Sequence, residues 1–224
     1  MRQQTSFIFD LDGTLTDSVY QNVFAWKTAL DSEDIPLAMW RIHRKIGMSG
    51  GLMLKTLARE TGLKITPDQA KRLSDKHDKA YKDLQGQITA LPGAVELLDT
   101  LNREQLKWCI ATSGGMDTAA INLKALGLDI SKVNLITRDD VKYGKPDPDL
   151  FLAAASKLNV PIEDCLVIGD AIWDMLAARS CKATGIGLLS GGYDTGELER
   201  AGAFRVYEDP LALLRHLDEV ASRP

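Results

Sequence analysis

Cysteine is scarce in this 224-residue chain, and histidine is equally so. The three cysteines, Cys109, Cys165 and Cys181, are odd in number and widely spaced. That excludes a disulfide framework or a cysteine-rich metal knuckle and suits a reducing, cytoplasmic setting. Cys109 and Cys165 lie in apolar runs and Cys181 near a helix end, so all three are expected as small buried hydrophobes. The histidines, His43, His77 and His216, form no cluster and read as surface or packing residues. No apolar run approaches the ~20 residues of a membrane span. The first residues run almost directly into a strand, without the charged and apolar regions of a signal peptide. A basic excess is missing too. A net charge of −4 argues against nucleic-acid binding, which needs clustered Lys and Arg. Small anions stay open, because two or three local donors can hold them.

What the chain does have is an apolar run, Phe7-Ile8-Phe9, that ends abruptly in Asp10-Leu11-Asp12-Gly13-Thr14. The run reads as a buried parallel strand, and open α/β sheets bind ligands at the carboxyl ends of such strands. Two acids at i and i+2 repel one another and are costly without a cation. They therefore suggest Mg²⁺ and phosphate chemistry. The alternative is a helix N-terminus, with Asp12 or Thr14 as cap and the other acid solvated.

Helical periodicity follows without a convincing strand between residues 18 and 88. Val19–Leu30, capped by Asp17 or Ser18, and Leu37–Ile46 read as helices, with Trp26 and Trp40 in their core. A flexible Gly47–Gly51 turn leads to two more helices, the second opened by Thr66-Pro67-Asp68. From Leu91 onward strands alternate with helices. Trp108–Ala111, Val133–Ile136, Cys165–Ile168 and Thr184–Gly187 are strand candidates, with a small one at Phe204–Val206 and a last helix at Pro210–Val220. The expected fold is α/β, a Rossmann-like doubly wound parallel sheet with an inserted α-helical cap. The core would span 1–17 and 89–224, and the cap 18–88.

The polar residues recur at strand ends. Asp10 and Asp12 close the first strand, Thr112 the second, and Asp170 the fourth, with Asp174 one helical turn later. In a parallel sheet these ends share one edge, and converging carboxylates need a hard cation such as Mg²⁺. Lys145, in Tyr143-Gly144-Lys145-Pro146-Asp147-Pro148, sits in a loop that feeds the same edge and would balance the charge. Its plain reading is a solvated loop lysine before a helix capped by Asp147.

These motifs, in this order, resemble those of haloacid dehalogenase superfamily phosphatases, of the subgroup with a helical cap after the first strand that holds phosphoglycolate phosphatase and β-phosphoglucomutase. The resemblance implies Asp10 as nucleophile and Asp12 as the acid and base. Thr112, Ser113 and Gly114 would hold the phosphoryl group with Thr14 nearby, and Lys145 would neutralise charge. It also implies Mg²⁺ on Asp10, the Asp12 carbonyl, Asp170 and Asp174. The substrate would be a small phosphorylated metabolite, phosphoglycolate-like or sugar-phosphate-like, and the enzyme a monomer or weak dimer. Arg44, Lys45 and Ser49, around the Gly47–Gly51 turn, are the candidates for substrate discrimination.

An acid at position 12 favours ester hydrolysis over dehalogenation, since a halide leaves without a proton. Thr16-Asp17-Ser18 and Ala25-Trp26-Lys27 are similar to the first cap helix of β-phosphoglucomutase. The histidine of that helix is replaced here by Asn22, and the acid before the metal-binding Asp by Gly169. Both departures favour a hydrolase over a phosphosugar mutase. A catalytically silent binding protein on the same fold is the other alternative.

Overall fold

The computed structural model describes residues 5–221. Its first element, β1 (Ser6–Phe9), is buried along its whole length. The chain then passes β2 (Thr16–Asp17) and enters four helices, α1 (Val19–Asp31), α2 (Met39–His43), α3 (Gly50–Thr61) and α4 (Pro67–Asp83). It returns through β3 (Thr89–Ala90) to α5 (Ala94–Arg103), β4 (Trp108–Ala111), α6 (Met116–Ala125) and β5 (Leu135–Ile136). Next come α7 (Asp149–Leu158), β6 (Cys165–Gly169), α8 (Ile172–Ser180) and β7 (Thr184–Leu188). The described chain ends with α9 (Thr195–Ala201), β8 (Ala203–Tyr207), α10 (Pro210–Arg215) and α11 (Leu217–Val220).

Six strands form one parallel sheet in the order β5-β4-β1-β6-β7-β8. Alternation along the strands sends Phe7, Phe9 and Ile168 to one face, against Leu97 and Leu98 of α5 and Leu123 of α6. Ile8, Cys109 and Val167 face the other way, against Phe151 of α7 and Ala177 of α8. Burial on both faces is why these strands read as unbroken apolar runs. From β1 the chain adds β4 and β5 on one side, then returns to add β6, β7 and β8 on the other. The direction of winding thus reverses beside β1, where an open α/β sheet leaves its ligand crevice.

The inserted helices have a core of their own, built from Val23, Trp26, Ile42, Met53, Leu57 and Leu73. The chain leaves and re-enters the sheet layer through β2 and β3, which pair antiparallel as Thr16 with Ala90 and Asp17 with Thr89. Two-residue strands carry no periodicity, so sequence reading missed this pair. Thr66 caps α4 by accepting from the Gln69 N–H at 3.2 Å, with Pro67 in the first turn. This is the arrangement that Thr-Pro-Asp announces.

Four expectations need correction. The helix expected over Leu37–Ile46 is the five-residue α2; its inward residue is Ile42, and Trp40 is 63% exposed beneath the Arg41 guanidinium. Ser18 precedes α1 but makes no side-chain cap, because its hydroxyl is bonded to Asp12. The strand expected over Val133–Ile136 shortens to β5, since Ile130–Lys132 forms a helical turn just before it. The last helix breaks at His216 into α10 and α11. Among the described residues no helix is long and apolar enough to cross a membrane.

Candidate active site

The loop after β1 turns back at once, with the N–H groups of Leu15 and Thr16 both donating to the Leu11 carbonyl. Gly13 takes φ +81°, and a Cβ there would lie 2.4 Å from Asp170 Oδ2. Only glycine suits both the turn and this close approach. The turn leaves Asp10 almost fully buried and brings Thr14 Oγ1 to Asp170 Oδ1, to which it donates at 2.9 Å. Thr14 thus orients a carboxylate and does not line the cavity described below.

Asp170 follows β6, and Asp174 sits in the first turn of α8, where its Oδ2 accepts from the Ala171 N–H at 3.1 Å. The helix-terminus role and the site role therefore coincide in Asp174. Lys145 is fully buried, which overturns its plain reading as a solvated loop residue. Its ammonium pairs with Asp10 and, at 2.8 Å, with Asp174 Oδ1. Burial alone would lower the Lys145 pKa, but Asp10 and Asp174 hold it above the ordinary lysine range.

One ammonium faces three buried carboxylates here. Burial pushes the Asp10 pKa up to about 7; Lys145 opposes the shift, and Asp174 and Asp12 add to it. Asp170 is likewise pushed well up, by burial first and then by Asp174 and Asp10. One oxygen each from Asp10, Asp170 and Asp174 lies within 4.8 Å of the others. Buried, hard-oxygen and short of positive charge, this donor set fits a divalent cation.

The second strand end supplies a different kind of group. After β4, the Thr112 N–H donates to the Ile136 carbonyl, and Thr112 Oγ1 accepts from the Gly114 N–H at 3.0 Å. Ser113 Oγ is buried without a hydrogen-bond partner among the described residues. Asp10, Asp12, Thr112, Ser113 and Gly114 form the sheet side of a cavity of about 250 Å³. Asn22, Trp26, Lys45, Gly47, Met48 and His77 close it from the helical insertion.

Asp12 is held quite differently from Asp10. Its Oδ1 accepts from Ser18 Oγ at 2.7 Å, Asn22 Nδ2 at 2.9 Å and Asn122 Nδ2 at 3.1 Å. The Tyr81 hydroxyl also lies 3.0 Å from it, and 3.0 Å from Asn122 Oδ1. Burial and the Asp12 charge push the Tyr81 pKa far above its usual value, so the phenol keeps its proton. Sequence reading missed Tyr81, Asn122 and His77, which come from helices with no motif of their own. The only signal was Asn22, noted for what it replaces.

The three discrimination candidates separate. Lys45 lines the cavity, with its ammonium 2.7 Å from Glu60 and 5.9 Å from the Trp173 ring centre. Arg44 turns away and pairs with Glu197 of α9, its guanidinium 4.1 Å above the Tyr193 ring. Ser49 is buried beside Gly144, at a point where a Cβ on Gly144 would meet the Ser49 Cβ at 2.7 Å. Neither Arg44 nor Ser49 lines the cavity.

Comparisons with known proteins identify the family. Residues 5–182 match the family described as haloacid dehalogenase-like hydrolase. Hexitol phosphatase A of Escherichia coli is 36% identical over 170 residues, 74% of each chain. β-Phosphoglucomutase of Bacillus subtilis is 31% identical over 189 residues, covering 82% of this chain and 83% of that one. The crystal structure of a hydrolase from Pseudomonas syringae superposes with a TM-score of 0.97 at 80% identity, over 98% of this chain and all of that one. The chain belongs to the haloacid dehalogenase-like hydrolases, with the helical cap of the β-phosphoglucomutase and phosphoglycolate phosphatase subgroup.

Proposed function

We propose that this enzyme hydrolyses a phosphate monoester with a polyhydroxylated leaving group, a hexitol or sugar phosphate, in two displacements. An Asp10 oxygen attacks phosphorus and the ester P–O bond breaks, while the Asp12 carboxyl gives its proton to the departing oxygen. Water then attacks the aspartyl-phosphate and loses its proton to Asp12, which frees inorganic phosphate and Asp10. Thr112, Ser113 and Gly114 hold the phosphoryl oxygens, and Lys145 balances the nucleophile. Mg²⁺ on Asp10, Asp170 and Asp174, with the Asp12 carbonyl, would supply the remaining positive charge.

The carrying observation is that two differently held carboxylates, Asp10 and Asp12, face the same cavity. The leaving-group class rests on the lining. Lys45 is occupied by Glu60, and the Arg138 guanidinium donates to the carbonyls of Val141 and Lys142. A carboxylate-bearing group such as phosphoglycolate would want a free cation, whereas hydroxyls suit the Ser74 hydroxyl and the second lone pair of the Asn22 amide oxygen. The names of the hexitol phosphatase and β-phosphoglucomutase relatives point the same way.

The test is turnover of a panel containing glucitol 6-phosphate, glucose 6-phosphate, glycerol 1-phosphate and phosphoglycolate. It is run with Mg²⁺, with EDTA and with Asp10→Asn. Phosphate release that survives EDTA and the substitution would sink the mechanism. A preference for phosphoglycolate would sink the leaving-group class. Interconversion of hexose 1- and 6-phosphates without phosphate release would point to a mutase, and inertness toward every ester to a binding protein.

A further inference from the structure

Asp12 is reached from the cap by a chain of hydrogen bonds through Asn22 and His77. Asn22 Nδ2 lies 2.9 Å from Asp12 Oδ1 and 3.3 Å from the Ser18 carbonyl, two groups that only accept. The amide is therefore oriented with its oxygen toward His77 Nε2, at 3.2 Å. That contact requires a hydrogen on Nε2. The other ring nitrogen, Nδ1, lies 2.9 Å from Asp78 Oδ1, a carboxylate oxygen with 55% of its side chain exposed. The ring is thus held between the Asn22 amide oxygen and the Asp78 carboxylate.

The ring itself is fixed. It is 6% exposed and stacks on Trp26 of α1 with centroids 4.3 Å apart and planes 25° apart. On its other neighbour, Tyr81, the centroids are 5.9 Å apart.

We propose that His77, held between Asn22 and Asp78, is the positioning residue for proton transfer by Asp12. His77 holds the Asn22 oxygen, and that forces the Asn22 NH₂ onto Asp12 Oδ1. Four hydrogen-bonding groups then crowd Oδ1, and Oδ2, which accepts no hydrogen bond among the described residues, is left for the proton of the leaving group. Without His77 the Asn22 amide can flip and turn its oxygen against the carboxylate. His77 lies on α4 and Asp12 on the loop after β1, so this chain of contacts runs between the cap and the sheet domain. This inference rests on the acid–base reading of Asp12 given above.

The experiment compares single-turnover phosphoryl transfer from two esters in each variant. Glucitol 6-phosphate or glycerol 1-phosphate, whichever turns over faster, must have its leaving alkoxide protonated. p-Nitrophenyl phosphate releases a weakly basic phenolate that needs no proton. His77→Leu should lower the alkyl-to-aryl rate ratio by about tenfold, a part of what general acid catalysis supplies. His77→Gln, whose amide can still donate to Asn22, should recover part of that ratio. Asp78→Asn, at an exposed position, should lower it in the same direction without risk to the fold. Nitrogen NMR of wild-type enzyme should show the His77 Nε2 carrying a hydrogen.

A His77 ring without a hydrogen on Nε2, or equal loss on both esters in His77→Leu and Asp78→Asn, would overturn the assignment. Asp12→Asn separates the two readings. If it leaves the ratio unchanged, the acid–base reading fails and His77 with it. If it collapses the ratio while the His77 and Asp78 variants do not, only the His77 assignment fails.

Discussion

Asp174 occupies the space that any side chain at Gly169 would need. A Cβ on Gly169 would lie 2.4 Å from both Cβ and Cγ of Asp174. The missing acid at 169 and the acid present at 174 are thus one structural choice, with the carboxylate supplied from the first turn of α8 and not from β6. Gly169→Ala should push Asp174 off Lys145 and off the Ala171 N–H, lower stability by about 1–3 kcal/mol and weaken Mg²⁺ activation. Gly169→Asp should be worse. Adding Asp174→Gly to Gly169→Asp should recover stability, because the Cβ and Cγ that a side chain at 169 meets are then both gone. Thermal unfolding and Mg²⁺ titration of activity across the three variants check this, and no recovery in the double variant would show that the two positions are not exchangeable.

Lys145 is the single buried cation among Asp10, Asp170 and Asp174. Removing it by Lys145→Met strands those carboxylates, and breaking a buried pair in this way costs about 3–5 kcal/mol. A cation that binds only the folded form restores stability, by about 2.7 kcal/mol at a hundred times its Kd. The expected result is a variant that melts well below wild type in EDTA and closes much of the gap in excess Mg²⁺, while its turnover stays low. Equal melting of the two proteins in EDTA would contradict the ion pairing seen at Asp10 and Asp174.

The same contrast explains what could be read from the sequence. Asp10, Asp12, Thr112, Lys145 and Asp170 were legible because each ends a strand or lies in an adjoining loop, and parallel strands bring such ends to one edge. The burial of β1 was legible as well, from its unbroken apolar run. The setting of Asp12 was not legible. Asn22, Tyr81 and Asn122 stand on α1, α4 and α6, and only packing of the insertion against the sheet brings them together. Trp40 failed for a local reason: α2 is too short for helical spacing to say which side faces inward.

Arg44 was expected at the substrate and is found on Glu197. The adjoining contacts make the same connection, since Tyr193 donates its hydroxyl to the Arg44 carbonyl at 3.1 Å and His43 Nε2 lies 2.9 Å from the Gly191 carbonyl. Arg44 thus ties the insertion to the loop before α9. Arg44→Ala and Glu197→Gln should each slow turnover of every ester alike and leave the order of substrate preference unchanged. Because both side chains are partly exposed, a double-mutant cycle on stability should give a coupling of about 0.5–1 kcal/mol that shrinks with salt. A change in substrate order in Arg44→Ala would return this residue to the specificity set.

The cysteines provide a pH test that does not involve the site. Cys109, Cys165 and Cys181 are all free and buried. Burial pushes the thiols of Cys109 and Cys165 up from 9.0 to about 12, and raises that of Cys181 as well. A folded-state pKa above the unfolded one means that the folded protein keeps its protons longer. The stability tied to these thiols is then complete below about pH 9 and is lost as pH rises through about 12. At pH 8 the native protein should leave Cys109 and Cys165 unreacted toward a chromogenic disulfide, because the thiolate is the nucleophile and is nearly absent. Denaturant should release all three thiols. Rapid native-state labelling of Cys109 or Cys165 would mean that the face of the sheet packed against α7 opens far more readily than its burial implies.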